Sequence, residues 1–416
     1  KELQSQYRDL QSKMLQSESM SWEQQQSLQE VSKQQMELQN KMEAIKKRFE
    51  EQVQQSQQKQ YSDEVKDKQE DLKKQMDNLL NNELKEQMKK LEELMKRLNK
   101  DQAFQTMKQL EQDNKLFNMD LERMQELMKQ LEMQMKLEDL ANKMSELAKK
   151  EQDLKQQTDK GNKDNKELAR KQDELKKELD KAMNEDMKNL DELNKKMDQQ
   201  QQEMSKPKEA GKKAADKMQG SKEELSKNEG SKASQSQSQA AQNLQEMSES
   251  LSNMAGGMNV QQIDIDIKAT RQVLTNLMRL SFDQEQLIKN VQNTPIGSQS
   301  YVGNQQEQAR LYGNSRMIRD SLFALSKRVS KLAPTINKET AELEKNMAAA
   351  TEAMQNRYVG NVMSKQQYVM MHTNNLALLL NETLSNLMRM KANAQSGKKG
   401  ICNKPWCKTP KARPGK

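Results

Sequence analysis

The most constraining feature of this sequence is a spacing. Leucines and methionines recur at alternating steps of three and four, over stretches of 40 residues without a glycine, a proline or a strong break. Leu140, Leu147 and Leu154 repeat every seven positions, with Leu137 and Met144 between them. That period places one narrow apolar stripe on an α-helix and leaves the rest of its circumference for water. A strand would need a period of two. The chain is therefore expected to be all-α, and the open question is what each stripe lies against.

Composition agrees with narrow seams rather than thick cores. Hydrophobic residues make up 33% of the 416 and aromatics 3%, well short of an ordinary globular domain. Low apolar content and 32% charge also fit disorder. Disorder, however, does not preserve helical spacing. From Lys391 to Lys416 there are eight basic residues and no acid, which accounts for the whole net charge of +8. The body is neutral, so no basic face for nucleic acid is expected, and the tail reads as a solvated end. No run approaches the roughly 18–20 apolar residues of a bilayer span.

Read along the chain, residues 1–100 form N-terminal coiled-coil helices. One seam runs through Leu28, Val31, Leu38, Met42, Ile45 and Phe49, with Gln35 at a seam position and Ser21 as the cap. Another begins near Ser62 and continues through Leu72, Leu79, Leu84 and Leu91, with Asn81 and Asn82 as a point of interruption. Residues 101–205 form a long antiparallel hairpin: a helix over about 115–157, roughly 60–65 Å long, a stop at Gly161, and a helix over about 165–204. The stripe at 127–150 is expected to face 165–204 and neighbouring helices of the same chain. Homo-oligomeric packing is the close alternative.

Residues 206–258 carry few large apolar groups and breakers at Pro207, Gly211, Gly220 and Gly230. They read as a flexible linker with transient helix and a disordered Ser/Gln tract, followed by a helix from about Ala240 that stops at Gly256 and Gly257. Residues 259–395 form a C-terminal bundle of four helices, and 396–416 a disordered basic tail.

Reaction chemistry has little material. His372 is the only histidine, so it reads as a satisfied helix residue, and one histidine does not supply two Glu-x-x-His pairs for a di-metal site. There is no phosphate loop, zincin pair or nucleophile elbow. Cys402 and Cys407 enclose "NKPW" in the tail. A small loop disulfide and a pair of free thiols are equally compatible, and a zinc site would need further ligands. The 31 methionines fill seam positions in place of leucine. No enzyme, cofactor or metal site is expected.

"LSFDQEQLI" (280–288), "RMIRDSLFALSKRV" (316–329) and "SKQQYVMMHTNNLALLLNETL" (364–384) resemble the C-terminal half of a family of large Bacteroidota membrane proteins that carries a domain of unknown function. The stretch from "LEELMKRLNKDQ" (91–102) to "MQELMKQLE" (124–132) is similar in style, and the tail resembles an abbreviated form of the family's "C-x-x-P" ends. The resemblance implies the helical part of a membrane-anchored bacterial envelope protein, with transmembrane helices upstream of a start that is already in helical register. It implies a protein partner, either another copy or another envelope protein, and no functional residue to carry over. The expected role is a non-enzymatic scaffold. The competing role is a binding module that tethers or regulates an envelope protein through 260–393.

Overall fold

The computed structural model describes residues 5–6, 9–10, 12–13, 21–56, 59, 61–96, 100–161, 164–197, 203–329, 332 and 334–397. Among them there is helix and no strand. In chain order, α1 (Trp22–Ser56) is followed by α2 (Asp63–Asn78), which passes through a π-helical turn (Leu79–Leu84) into α3 (Lys85–Lys96). Next come α4 (Lys100–Lys160) and α5 (Asn165–Lys181), which passes through a second π turn (Ala182–Asp186) into α6 (Met187–Lys195). Then come α7 (Ser205–Ser226), α8 (Gly230–Gln292), α9 (Gln299–Ser326), α10 (Pro334–Gln355) and α11 (Val359–Gly397).

Local chemistry sets several of these boundaries. Ser21 and Gln24 form a reciprocal capping box at α1: Gln24 N–H donates to Ser21 Oγ at 3.3 Å, and Ser21 N–H donates to Gln24 Oε1 at 2.9 Å. Ser62, Asp164 and Ser298 cap α2, α5 and α9 by accepting a backbone N–H. At Gly161 φ is +61°, the left-handed stop that glycine tolerates best.

Both π turns answer a surplus residue. Buried positions Val65, Gln69, Leu72, Met76 and Leu79 keep the alternating step, which continued strictly would next reach Glu83. Instead Leu84, Gln87, Leu91 and Leu94 are buried, each one place later. The wider turn at 79–84 absorbs that extra residue and keeps the stripe facing its partner. The same shift separates Leu168, Gln172, Leu175, Leu179 and Ala182 from Met187, Leu190 and Met197, across the turn at 182–186.

Two spines organise the packing. At 1.5 Å per residue, the 61 residues of α4 and 63 of α8 each span roughly 90–95 Å. They run antiparallel: Asp159 meets Ser234, and the Ala141 carbonyl accepts from Ser248 Oγ at 2.7 Å. The second half of α4 and the first half of α8 enclose a four-helix bundle with α5–α6 and α7. Leu137, Met144, Leu179, Met218, Leu244 and Met247 share its core. The second half of α8 joins α9, α10 and α11 in another four-helix bundle, with Leu277, Leu311, Leu343 and Leu376 in its core. The first half of α4 packs with α1, α2 and α3. Phe49, Leu72, Leu79, Phe117 and Leu131 form one core there, and Leu28, Leu91 and Leu110 a second. The stripe at 127–150 is therefore split: Leu127, Leu131 and Met135 face the N-terminal helices, whereas Met133 and the row from Leu137 to Ala148 face α5–α8.

The expected linker is corrected. Residues 205–226 and 230–292 are two helices of the central bundle, and α8 continues through Gly256 and Gly257. The physical reason is that small residues here make the core. Ala210, Gly211, Ala214, Ser221, Ala233, Ala240 and Ser248 are buried at seam positions, where small side chains let helices approach closely. A Cβ on Gly211 would stand 2.5 Å from Met183 Sδ and 3.0 Å from Met247 Sδ. Pro207 lies in the first turn of α7, where a missing amide costs little. The tail at 398–416 lies outside the described residues.

Amide hydrogen exchange over 231–251 is expected to be as slow as over 137–157, whereas a linker would exchange within seconds. Gly211→Leu is expected to destabilise the central bundle by about 1–3 kcal/mol in denaturant unfolding. Gly211→Ala is expected to be far milder, because the flexible end of Met183 can move aside.

Candidate functional site: buried polar layers and a charged junction

Each bundle carries one polar layer inside its apolar seam. In the central bundle the row Leu137, Met144 continues by seven to Glu151, which is completely buried. Gln172 Nε2 donates to both carboxylate oxygens of Glu151 at 2.9 Å. Its Oε1 accepts from Ser221 Oγ and from Gln237 Nε2, each at 3.0 Å. All four helices thus contribute one residue. No cation stands in the layer, and burial pushes the Glu151 carboxyl up to about 7, opposed by the Gln172 hydrogen bond.

The C-terminal bundle repeats the arrangement without charge. Gln284 and Gln308 exchange hydrogen bonds at 3.3 Å, Gln366 donates to Gln308 at 2.9 Å, and Gln308 Nε2 lies 3.3 Å from Met347 Sδ. In the N-terminal unit, Gln35 donates to Gln87 at 2.7 Å. Such layers cost stability against an apolar core, but they fix register, since a slipped helix would bury these groups unpaired.

A second polar assembly lies between bundles. Asp120 occupies the seam position between Phe117 and Met124 on α4, Arg123 lies beside that line, and both are almost fully buried. Arg123 Nη1 donates to the Leu332 carbonyl at 2.5 Å, and its Nε lies 3.4 Å from Asp120 Oδ1. Asn337 of α10 donates to Asp120 at 2.7 Å. Gln130 and Lys327 add contacts to the Lys327 carbonyl and the Glu122 carboxylate, each at 3.4 Å. Glu83, from the first π turn, faces the same pair. Burial, then repulsion from Asp120, raises its carboxyl to about 7, and Arg123 only partly offsets this. Two acids share one arginine.

His372 of α11 has its Nδ1 2.7 Å from Glu339 Oε2, and Asn375 donates to the same oxygen at 3.2 Å. It is a buried helix–helix tie. Among the described residues no group of three or more His, Cys, Asp or Glu is placed to hold a metal ion. Cys402 and Cys407 lie outside the described residues. Sequence reasoning passed over Glu151, Gln172, Gln237, Gln284, Gln308 and Gln366, although each occupies a seam slot that the spacing marks. The spacing also marks Asp120, between Phe117 and Met124, but nothing local flags Arg123, which lies off that line. Comparison with known protein families, with curated proteins and with solved structures finds no match.

Because the Glu151 carboxyl is raised on folding, its favourable contribution is complete below about pH 4.5 and is lost as pH rises through about 7. Glu151→Gln is expected to leave stability near pH 4 almost unchanged. At pH 8 it is expected to raise stability by roughly 2–3 kcal/mol, measured by urea unfolding at the two pH values.

Proposed function

We propose that this chain is a non-enzymatic scaffold region of a membrane-anchored bacterial envelope protein, acting through helix packing rather than through a reaction centre. The observation that carries the reading is the sharing of spines. Helix α4 belongs to the N-terminal unit and the central bundle, and α8 to the central and C-terminal bundles. Position and load pass between units along continuous helices, as a spacer requires. The buried polar groups that an enzyme would turn toward substrate are here turned toward one another. The envelope setting is supported by the family resemblance. No helix among the described residues is long and apolar enough to cross a membrane. Nucleic acid is a poor partner for a body of balanced charge.

A test is genetic complementation with the full-length protein. Exchanging exposed Lys149, Lys177, Lys212 and Glu223 of the central bundle for alanine is expected to preserve function. Leu147→Asp with Leu179→Asp, which splits the core, is expected to abolish it. Loss of function in the surface variant at unchanged helicity would sink the scaffold reading.

One observation favours the binding-module alternative. Large apolar side chains are exposed on three helices of the C-terminal bundle: Met278 and Phe282 (65%) on α8, Met317 on α9, and Met371 and Leu378 (70%) on α11. Such side chains would receive another envelope protein or a second copy. Phe282→Ser with Leu378→Ser would then abolish association with that protein while leaving the bundle folded.

A further inference from the structure

The seams within the bundles are continuous and apolar. The seam between the N-terminal unit and the C-terminal bundle is different. Helix α10 meets α4 along a single line through Gln112, Leu116, Asn337 and Ala341. A cavity of about 230 Å³ opens on each side of that line, one toward α9 and one toward α3. At the end of the line stand Asp120 and Arg123, bonded to Asn337 and to the Leu332 carbonyl. Beyond them a third cavity of about 80 Å³ opens between α2 and α4 on one side and α8 and α11 on the other, lined in part by Leu127, Leu131, Ile263 and Leu387. The only covalent path from α4 to the C-terminal bundle is through α5–α8, and α8 holds adjacent glycines at 256 and 257, just before it enters that bundle. Glycine weakens a helix at that place.

We propose that the C-terminal bundle undocks from the N-terminal unit as a rigid body, turning about α8 near Gly256 and Gly257, and that the Glu83–Asp120–Arg123–Asn337 cluster is the clasp that holds it closed. Closure removes Asp120 and Arg123 from water, and it balances only while one of the two acids is neutral. With Glu83 protonated, one carboxylate faces one guanidinium; with the half-buried Glu83 ionised, two acids compete for that guanidinium, and Asn78 donates to Glu83 at 3.5 Å without adding charge. Two of the surrounding lysines are held by other acids. On α3, Lys90 is held by Glu86 at 3.0 Å and by Asp113 of α4 at 2.8 Å. On α10, Lys345 is held by Glu342 at 3.1 Å, and Lys338 lines the same cavity. The clasp therefore favours closure in mild acid and loosens as pH rises through about 7, the value to which Glu83 is lifted. Inside the bundles, by contrast, separating helices would expose whole rows of leucine.

The full chain, with Cys402→Ser and Cys407→Ser, carries nitroxide labels at Lys47→Cys on α1 and Arg316→Cys on α9, both exposed positions. Pulsed electron–electron resonance is read at pH 6 and pH 8.5. A single short distance at pH 6, joined by a longer population at pH 8.5, is expected; Glu83→Gln should suppress the longer population. Arg123→Met should show it at both pH values with helicity unchanged. Should Arg123→Met fail to fold, Asn337→Ala removes the α10 side of the clasp and leaves the N-terminal unit intact, with the same shift expected. One unchanged distance in the folded clasp variants overturns the proposal, and so does a pH response that Glu83→Gln leaves in place.

Discussion

Burial of narrow leucine–methionine seams is the interaction on which the whole molecule depends. Each such side chain taken from water contributes about 1.5–3 kcal/mol, and the chain has few to spare. It compensates by length and by sharing. Because α4 and α8 each present seams to two units, no helix end in the middle of the molecule is left to be closed by loops alone. Stability is distributed along the axis instead of concentrated in one thick core, which is how a protein only one-third hydrophobic buries Leu137, Leu244, Leu277 and Leu376 completely.

An apolar seam of nearly uniform character is poor at telling one register from another. A leucine displaced by seven residues meets another leucine. The buried glutamines and Glu151 supply the discrimination, one layer to each four-helix bundle, with each helix contributing a side chain. The central layer differs in holding an uncompensated acid. Burial lifts its carboxyl to about 7, whereas the C-terminal layer is built of amides. The junction cluster is a separate device. It joins units rather than helices, and it uses charge where the layers use amides.

Much of this was legible from spacing. The four C-terminal helices follow directly from the step of three and four and from the breaks at Pro295 and Pro334. The extension of the Leu137, Met144 row to Glu151 was also visible, since counting by seven is enough. The central bundle was not, because hydrophobic size was used as the sign of a seam. In α7 and the start of α8 that sign is reversed: Ala214, Ser221 and Ala233 are buried because they are small. The junction around the Asp120–Arg123 pair was illegible for another reason. Its partners lie more than 200 positions away, at Leu332 and Asn337, and only the docking of two bundles brings them together.

The first π turn has a consequence for how this chain tolerates change in length. Losing one residue from an ordinary helix swings everything beyond it by about 100° and empties the seam. Between Leu79 and Leu84 the arithmetic is reversed. Dropping Asn81 or Asn82 would return the stretch to regular α geometry with every later leucine still facing inward, and it would leave Glu83 in its place beside the clasp. The chain thus holds two sites, this one and the turn at 182–186, where a deletion repairs periodicity instead of destroying it. Homologues that differ in length by single residues are expected to differ there first.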